Sequence, residues 1–452
     1  MSEHRADVVI LGGGSGGYAA AIRSAELGKS VILIEEDKVG GTCLHRGCIP
    51  TKALLHAGEV ADTVRAAAKL GVKAALDGID PAGIHAYQDG VVDRLYKGLQ
   101  GLLDAHDVEI VSGRGRLDDS GAVVVGDDRY LGGHVVLATG SRPRALPGIE
   151  VGGNVLSSDQ ALSLDFLPED AIVIGGGVIG VEFASIWASF GAKVTVLEAL
   201  DRLVAGELLG AELVLARGLR KRGVTSKTGV SVTGVKQDDD GVIVEVGSGP
   251  PLEAEVLLVA VGRQPNTEDL IVELDHGFVR TDERLRASMP NVYAVGDIVA
   301  GLQLAHRGFA HGIFVAEDIA GLDPSRLDET AIPRVTYSHP EVASVGLTEA
   351  RARELYGDDV RVVVYDLAGN GKSQILGTAG AVKLVQAPDG RVAGVHMVGD
   401  RVSELVGEGQ MLYGLGAPVA EAARLVHAHP TQGEAIGEAL LALAGSPLHV
   451  HS

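Results

Sequence analysis

The sequence predicts an α/β fold made of two similar βαβ units and a C-terminal α+β domain. Three observations carry this. A Gly-x-Gly-x-x-Gly turn stands between an apolar run and an Ala-rich stretch within residues 6–28. The same order of features returns within residues 171–198. From residue 331 onward the pattern changes to strands near 332–347, 361–366, 381–387 and 392–398, then helices from 401. At 452 residues the chain has room for about three domains of about 150 residues each.

In the first unit, ADVVILGGGSGG (6–17) places β-branched residues directly before Gly12, Gly14 and Gly17. YAAAIRSAELG (18–28) then reads as a helix stopped by Gly28, and the following SVILIEE carries Glu35. The first glycine permits a tight turn, the second lets a pyrophosphate approach the backbone, and the third packs helix on strand. Free N–H groups at the helix N-terminus meet the phosphate charge. Glu35 lies 23 residues after Gly12, where an acid can bond ribose hydroxyls.

The second unit, AIVIGGGVIGVEFASIWASFGAKVTVLE, carries Gly175, Gly177 and Gly180, with Glu198 at the same 23-residue spacing. Glycine makes up 63 of 452 residues, so one bare match says little. Two matches in one frame with one acid spacing predict two Rossmann-like sites for two dinucleotides. Glu198 would repel a 2′-phosphate, so the second site favours NAD over NADP, with Arg202 near enough to bear on that choice.

A net charge of −21 argues against nucleic acid and anionic membrane surfaces as partners. Apolar runs fall short of the roughly 20 residues of a membrane span, and MSEHRADVVILGGG lacks the pattern of an export signal. A cytoplasmic protein is expected. In a reducing cytosol, a close cysteine pair suits metal binding or redox chemistry better than a structural bridge.

Both cysteines fall in GGTCLHRGCIPTK (40–52). On an undistorted α-helix, residues five apart have Cα atoms about 8.6 Å apart, whereas a disulfide needs about 4.4–6.8 Å. Cys43 and Cys48 therefore cannot share one regular helix and still bridge. Gly47 and Pro50 suggest an irregular segment leading into a helix with Pro50 in its first turn. Cys48 would then lie near a helix N-terminus, whose partial positive charge favours thiolate. A structural bridge here would close too short a loop to restrain the unfolded chain much. No other cysteine can complete a thiolate metal set. Two unrelated thiols are the plain alternative; a redox-active pair, following directly on a dinucleotide unit, is expected.

Gly-Gly-Thr-Cys-Leu-x-x-Gly-Cys-Ile-Pro-x-Lys resembles the signature of the class I pyridine nucleotide–disulfide oxidoreductases. VVLATGSRPR (135–144), VGRQPN (261–266), VYAVGDI (292–298), LQLAH (302–306), IPRVTYSHPEVASVGLTE (332–349) and HAHPTQGEA (427–435) extend the resemblance over essentially the whole chain. It implies FAD in the first glycine unit, NAD in the second, and a homodimer with shared active sites. Residues 1–145 and 266–330 would form the FAD domain, 146–265 the NAD domain, and 331–452 the dimer interface. Beyond the first glycine turn, the implied FAD contacts are Gly41, Thr42, Lys52, Gly115, Thr139, Gly140, Ser141, Asp297, Gln303, Leu304, Ala305 and His306. Val178, Ile179, Val232 and Gly262 join the NAD site. No metal is expected. NADP-using disulfide reductases of the family usually carry alanine and arginine where this chain has Gly180 and Glu198. With no further cysteines either, the resemblance implies an NAD enzyme acting on a dithiol. That dithiol would be dihydrolipoamide. It would be carried by lipoylated acyltransferases of 2-oxo acid dehydrogenase complexes or by the lipoyl carrier protein of glycine cleavage.

LVHAHPTQGEAIGEALLALAG contains His427, His429 and Glu434. A histidine titrating near neutrality suits removal of a substrate thiol proton, and a carboxylate on its far nitrogen fixes the tautomer. Thr431-Gln-Gly-Glu434 is equally a capping box opening the last helix, so Glu434 could bond a backbone N–H instead. His-x-His without a third ligand is a weak metal signal. The resemblance makes His429 the base, acting on the disulfide of the other subunit, with Glu434 as its partner. Lys52, one turn beyond Cys48, and Glu182 read on their own as solvated helix charges. The resemblance implies an ion pair beside the flavin, able to tune its potential. One departure is DLAGNGKSQILG (366–377), where many relatives carry an aromatic-rich segment. It is expected to alter local packing without touching these roles.

Overall fold

The computed structural model describes residues 2–205, 211–247 and 249–449. Its first sheet is built on the strand Glu3–Leu11, in which Val8, Val9 and Ile10 are fully buried. Burial on both faces explains why this strand reads as a continuous apolar run rather than an alternating one. Val31–Glu35 and Asp128–Leu137 flank it in parallel, and Glu109–Ser112 extends the sheet beyond Val31–Glu35. Val292–Ala294 pairs in parallel with Asp128–Leu137, so the chain returns to this sheet late in sequence. The helix Ala305–Ile319 packs on the first helix, Ser15–Glu26, at a glycine crossing: a Cβ on Gly312 would lie 2.3 Å from the Gly16 carbonyl oxygen.

The second sheet is parallel and runs in the order Val224–Lys227, Lys193–Leu197, Asp170–Ile174, Val256–Val259, Val155–Leu156. Its glycine turn leads into the helix Val178–Phe190, where Val181, Phe183, Ala184, Ile186 and Trp187 are buried. A helix apolar all round is one packed on all sides. One side meets the helix Cys48–Ala66, so closely that a Cβ on Gly58 would lie 2.8 Å from the Ser189 Cβ. The two sheets are thereby joined through the helix that starts at Cys48.

The C-terminal sheet is antiparallel, ordered Arg334–Thr336, Glu341–Gly346, Val392–Gly399, Ala381–Gln386, Arg361–Asp366. The helices Val402–Gly414 and Glu434–Leu443 cover it, with Val345, Leu384, Val395 and Leu440 in the shared core. The expected strands are present, the first divided in two. Short helices at Glu349–Tyr356 and Gly371–Leu376 were not expected; Thr348 and Asn370 cap them by accepting backbone N–H bonds. Among the described residues, no helix is long and apolar enough to cross a membrane.

Candidate active site

The two glycine turns have nearly one geometry. Gly12 and Gly175 adopt φ of +104° and +107°, and a Cβ on either would lie 2.3 Å from the carbonyl oxygen of Ala138 or Ala260. Gly17 and Gly180 approach the carbonyls of Gly12 and Gly175 so closely that a Cβ would lie 1.8 and 1.9 Å away. Gly14 and Gly177 instead face open space, with nothing within 4 Å of an added Cβ. Two glycines therefore serve the turn and one leaves room for a ligand beside a helix N-terminus. The acids also match. Glu35 accepts the N–H groups of Gly13 at 2.6 Å and Asp37 at 2.9 Å. Glu198 accepts those of Gly176 at 2.6 Å and Leu200 at 2.7 Å. Each carboxylate thus braces its own turn, and of the two only Glu198 also lines the cavity described below.

The cysteines sit on two helices that meet at Gly47. Cys43 lies on Gly41–Arg46 and Cys48 is the first residue of Cys48–Ala66. The segment before Cys48 is therefore helical rather than irregular, and the break is confined to Gly47, with φ −150° and ψ −111°. Six residues are too few to show a helical period in sequence. Both cysteines are free thiols in this structure. A hydrogen bond from the Cys43 thiol pulls the Cys48 pKa down; burial opposes this and Lys52 adds to it, leaving Cys48 at about 7. The same bond, with burial, pushes the Cys43 thiol up. Of the two, Cys48 is the one held toward the thiolate form.

Lys52 Nζ lies 2.9 and 3.1 Å from the carboxylate oxygens of Glu182, which is almost fully buried. Burial pulls the Lys52 pKa down, but Glu182 more than offsets it, and the ammonium is held charged. The Tyr337 N–H donates to Glu182 Oε1 at 2.9 Å, and Lys52 Nζ stands 4.6 Å from the Tyr337 ring centre. On the other side, Ser141 Oγ donates to Asp297 Oδ2 at 2.5 Å and accepts Arg263 Nε at 2.7 Å. Tyr337 and Arg263 were missed, although both stand in stretches that carried the resemblance. Their only sequence signal is a tyrosine before Ser-His-Pro and an arginine ending an apolar strand.

A cavity of about 1590 Å³ joins these features. Gly14, Thr42, Cys43, Cys48 and Lys52 line one part, together with Gly140, Ser141, Asp297 and Gln303–His306. Gly175, Gly177, Val178, Ile179, Glu182, Glu198, Val232 and Gly262 line the other. Gly12, Gly17 and Gly180 pack inside the turns. Glu35, Gly41, Gly115 and Thr139 do not reach the wall: Gly115 packs on Leu11, and the Thr139 hydroxyl donates to the Asn266 carbonyl at 2.5 Å.

His429 and Glu434 lie apart from this cavity within one chain. Glu434 resolves its two readings by doing both. Its Oε1 is 2.7 Å from His429 Nδ1, and its Oε2 accepts the Thr431 N–H at 2.7 Å. Burial would raise the Glu434 pKa, but these two bonds hold it below the ordinary value. Thr431 does not complete the capping box; its hydroxyl donates to the Ala428 carbonyl, and the helix opens at Gly433. The His429 side chain is 76% exposed, free to meet something outside its own chain. Nearby, His427 Nε2 lies 2.8 Å from Glu408 Oε1. No cluster of metal-ligating side chains occurs among the described residues.

Two dinucleotide turns and a cysteine pair on one cavity define a dinucleotide-linked thiol oxidoreductase. The chain belongs to the pyridine nucleotide-disulphide oxidoreductases, whose family model matches residues 6–312; the dimerisation domain of that family matches residues 332–440. A dihydrolipoyl dehydrogenase of Bacillus subtilis (strain 168) is 40% identical, covering 98% of this chain and 99% of its own. One from Geobacillus stearothermophilus is 38% identical, with 98% and 97% covered. Among solved structures, LpdA from Mycobacterium tuberculosis superposes with a TM-score of 0.89 at 26% identity, over 98% of this chain and 100% of that one.

Proposed function

We propose that this chain oxidises the dithiol of a dihydrolipoyl group to the cyclic disulfide and reduces NAD+ to NADH, using FAD. The observation that carries the reading is the continuous cavity holding both glycine turns and the cysteine pair. The open faces of Gly14 and Gly177, each at a helix N-terminus, fit the pyrophosphates of FAD and NAD. Residues 1–145 with 266–330 are assigned to FAD, 146–265 to NAD and 331–452 to the interface. The return of Val292–Ala294 to the first sheet supports this division.

Bound FAD supplies a two-electron acceptor between thiol chemistry and the nicotinamide. The chain's own residues do the rest. With Glu434 ionised against Nδ1, His429 keeps Nε2 free to accept a proton. The exposed His429 of the partner subunit takes a substrate thiol proton. The resulting thiolate attacks Cys43 Sγ of the oxidised pair, and the Cys43–Cys48 bond breaks. Cys48 leaves as the thiolate, as its lower pKa favours. The second substrate thiol then attacks the substrate sulfur bound to Cys43, its proton passing to the departing Cys43 sulfur, whose raised pKa favours the thiol. The cyclic disulfide departs and leaves the reduced pair, whose two electrons pass on to NAD+. Lys52, held by Glu182, stabilises the Cys48 anion throughout.

The physiological substrate is proposed to be a lipoylated acyltransferase or lipoyl carrier protein, met in the cytoplasm. Purified holoenzyme should reduce NAD+ with dihydrolipoamide far faster than it reduces glutathione disulfide with NADPH. The reverse preference would sink the reading.

A further inference from the structure

The segment that departs from many relatives, residues 366–377, was expected to leave the active-site roles untouched; it packs against the loop that carries His429. A Cβ on Gly371 would lie 3.9 Å from both His429 Cε1 and Pro430 Cβ. Asn370 is 3% exposed and Ser373 is fully buried. Asn370 Oδ1 accepts the Ser373 N–H at 2.9 Å, which caps the helix Gly371–Leu376. Asn370 Nδ2 donates to the Thr431 carbonyl at 2.9 Å. Ser373 Oγ lies 3.0 Å from Oε1 of the buried Gln432. The backbone just after His429-Pro430 is thus anchored through buried side-chain bonds, while the imidazole itself stands in the open.

We propose that Asn370 is a positioning residue for His429. The inference rests on the reading of His429 as the base. Within its own subunit the imidazole gains no fixed place from packing, so the direction in which it is offered to the partner depends on the loop backbone and on Glu434. Glu434 sets the ring; Asn370 sets the loop. The residue type supports this division. Aspartate caps a short helix as well as asparagine does, but it has no N–H to give a carbonyl. The amide is required only for the bond to Thr431.

Asn370→Asp keeps the helix cap and replaces the donor with an anion facing the Thr431 carbonyl. In FAD-loaded dimer, dihydrolipoamide–NAD+ kcat should fall about tenfold to a hundredfold, the scale of a small misplacement of a reacting group. Turnover of NADH with a small quinone and the KM for NAD+ should stay at wild-type values, while the melting midpoint falls because the new carboxylate is buried against a carbonyl. Amide exchange in the 427–433 peptide should quicken, and Ser373→Ala should give a weaker version of the same pattern. Dithiol kcat within twofold of wild type in Asn370→Asp would overturn the proposal, as would equal losses in the dithiol and quinone assays. His429→Gln, measured alongside, separates the two claims. If it retains dithiol turnover, the base assignment fails; if it alone loses turnover, the role of Asn370 fails.

Discussion

Replacing Lys52 by methionine tests the electrostatics of the thiolate. Lys52 and Cys48 are one helical turn apart on Cys48–Ala66, with about 5–6 Å between their side-chain origins. A unit charge at about 6 Å in an effective dielectric of about 20 is worth about 2.8 kcal/mol, or about two pK units. The Lys52 side chain is 32% exposed and shares its charge with Glu182, so screening leaves about half of this. Cys48, at about 7 in the native chain, should therefore titrate higher by about one pK unit in Lys52→Met. Glu182→Gln removes an anion that holds the thiol up, so its midpoint should move down. The assay is the long-wavelength absorbance of the two-electron-reduced holoenzyme, where a thiolate lies against oxidised flavin. That absorbance is present above the Cys48 midpoint and fades as pH falls through it. A Lys52→Met midpoint at or below the native one would refute the assignment of Lys52 as the stabilising cation.

Gly180→Ala would place a methyl group 1.9 Å from the Gly175 carbonyl, forcing the helix Val178–Phe190 off its turn. The KM for NADH should rise about tenfold or more while the flavin-to-protein ratio stays at one per subunit; an unchanged KM would contradict the close approach. Glu434→Gln keeps an oxygen for the Thr431 N–H but offers an N–H to His429 Nδ1, reversing the tautomer. Dithiol turnover should fall about a hundredfold or more without loss of folding. Near-native turnover would mean that Glu434 only caps the backbone.

What the sequence showed and what it hid follow from the range of each interaction. The glycine turns were legible because the tightest contacts of Gly17 and Gly180, with Gly12 and Gly175, lie within the motif itself. The acids Glu35 and Glu198 were legible for the same reason, though their bonds to the turn N–H groups were not foreseen. Glu434 was ambiguous in sequence because both readings require the same spacing, and the structure gives one oxygen to each. Tyr337 and Arg263 could not be read locally. Tyr337 meets Glu182 across 155 residues, and Arg263 meets Ser141 across 122. Asn370 stayed hidden for a subtler reason: it reads as a loop residue beside a short helix too brief to show a period. Its second bond, to Thr431, crosses 61 residues.

The central claim is that Cys43 and Cys48 carry electrons from a dithiol into the flavin. Cys48→Ser, purified with FAD bound, tests it most directly. The variant should lose dihydrolipoamide–NAD+ turnover and the long-wavelength absorbance of the reduced state, yet still pass electrons from NADH to a small quinone. Dithiol turnover at the native rate in Cys48→Ser would contradict the account.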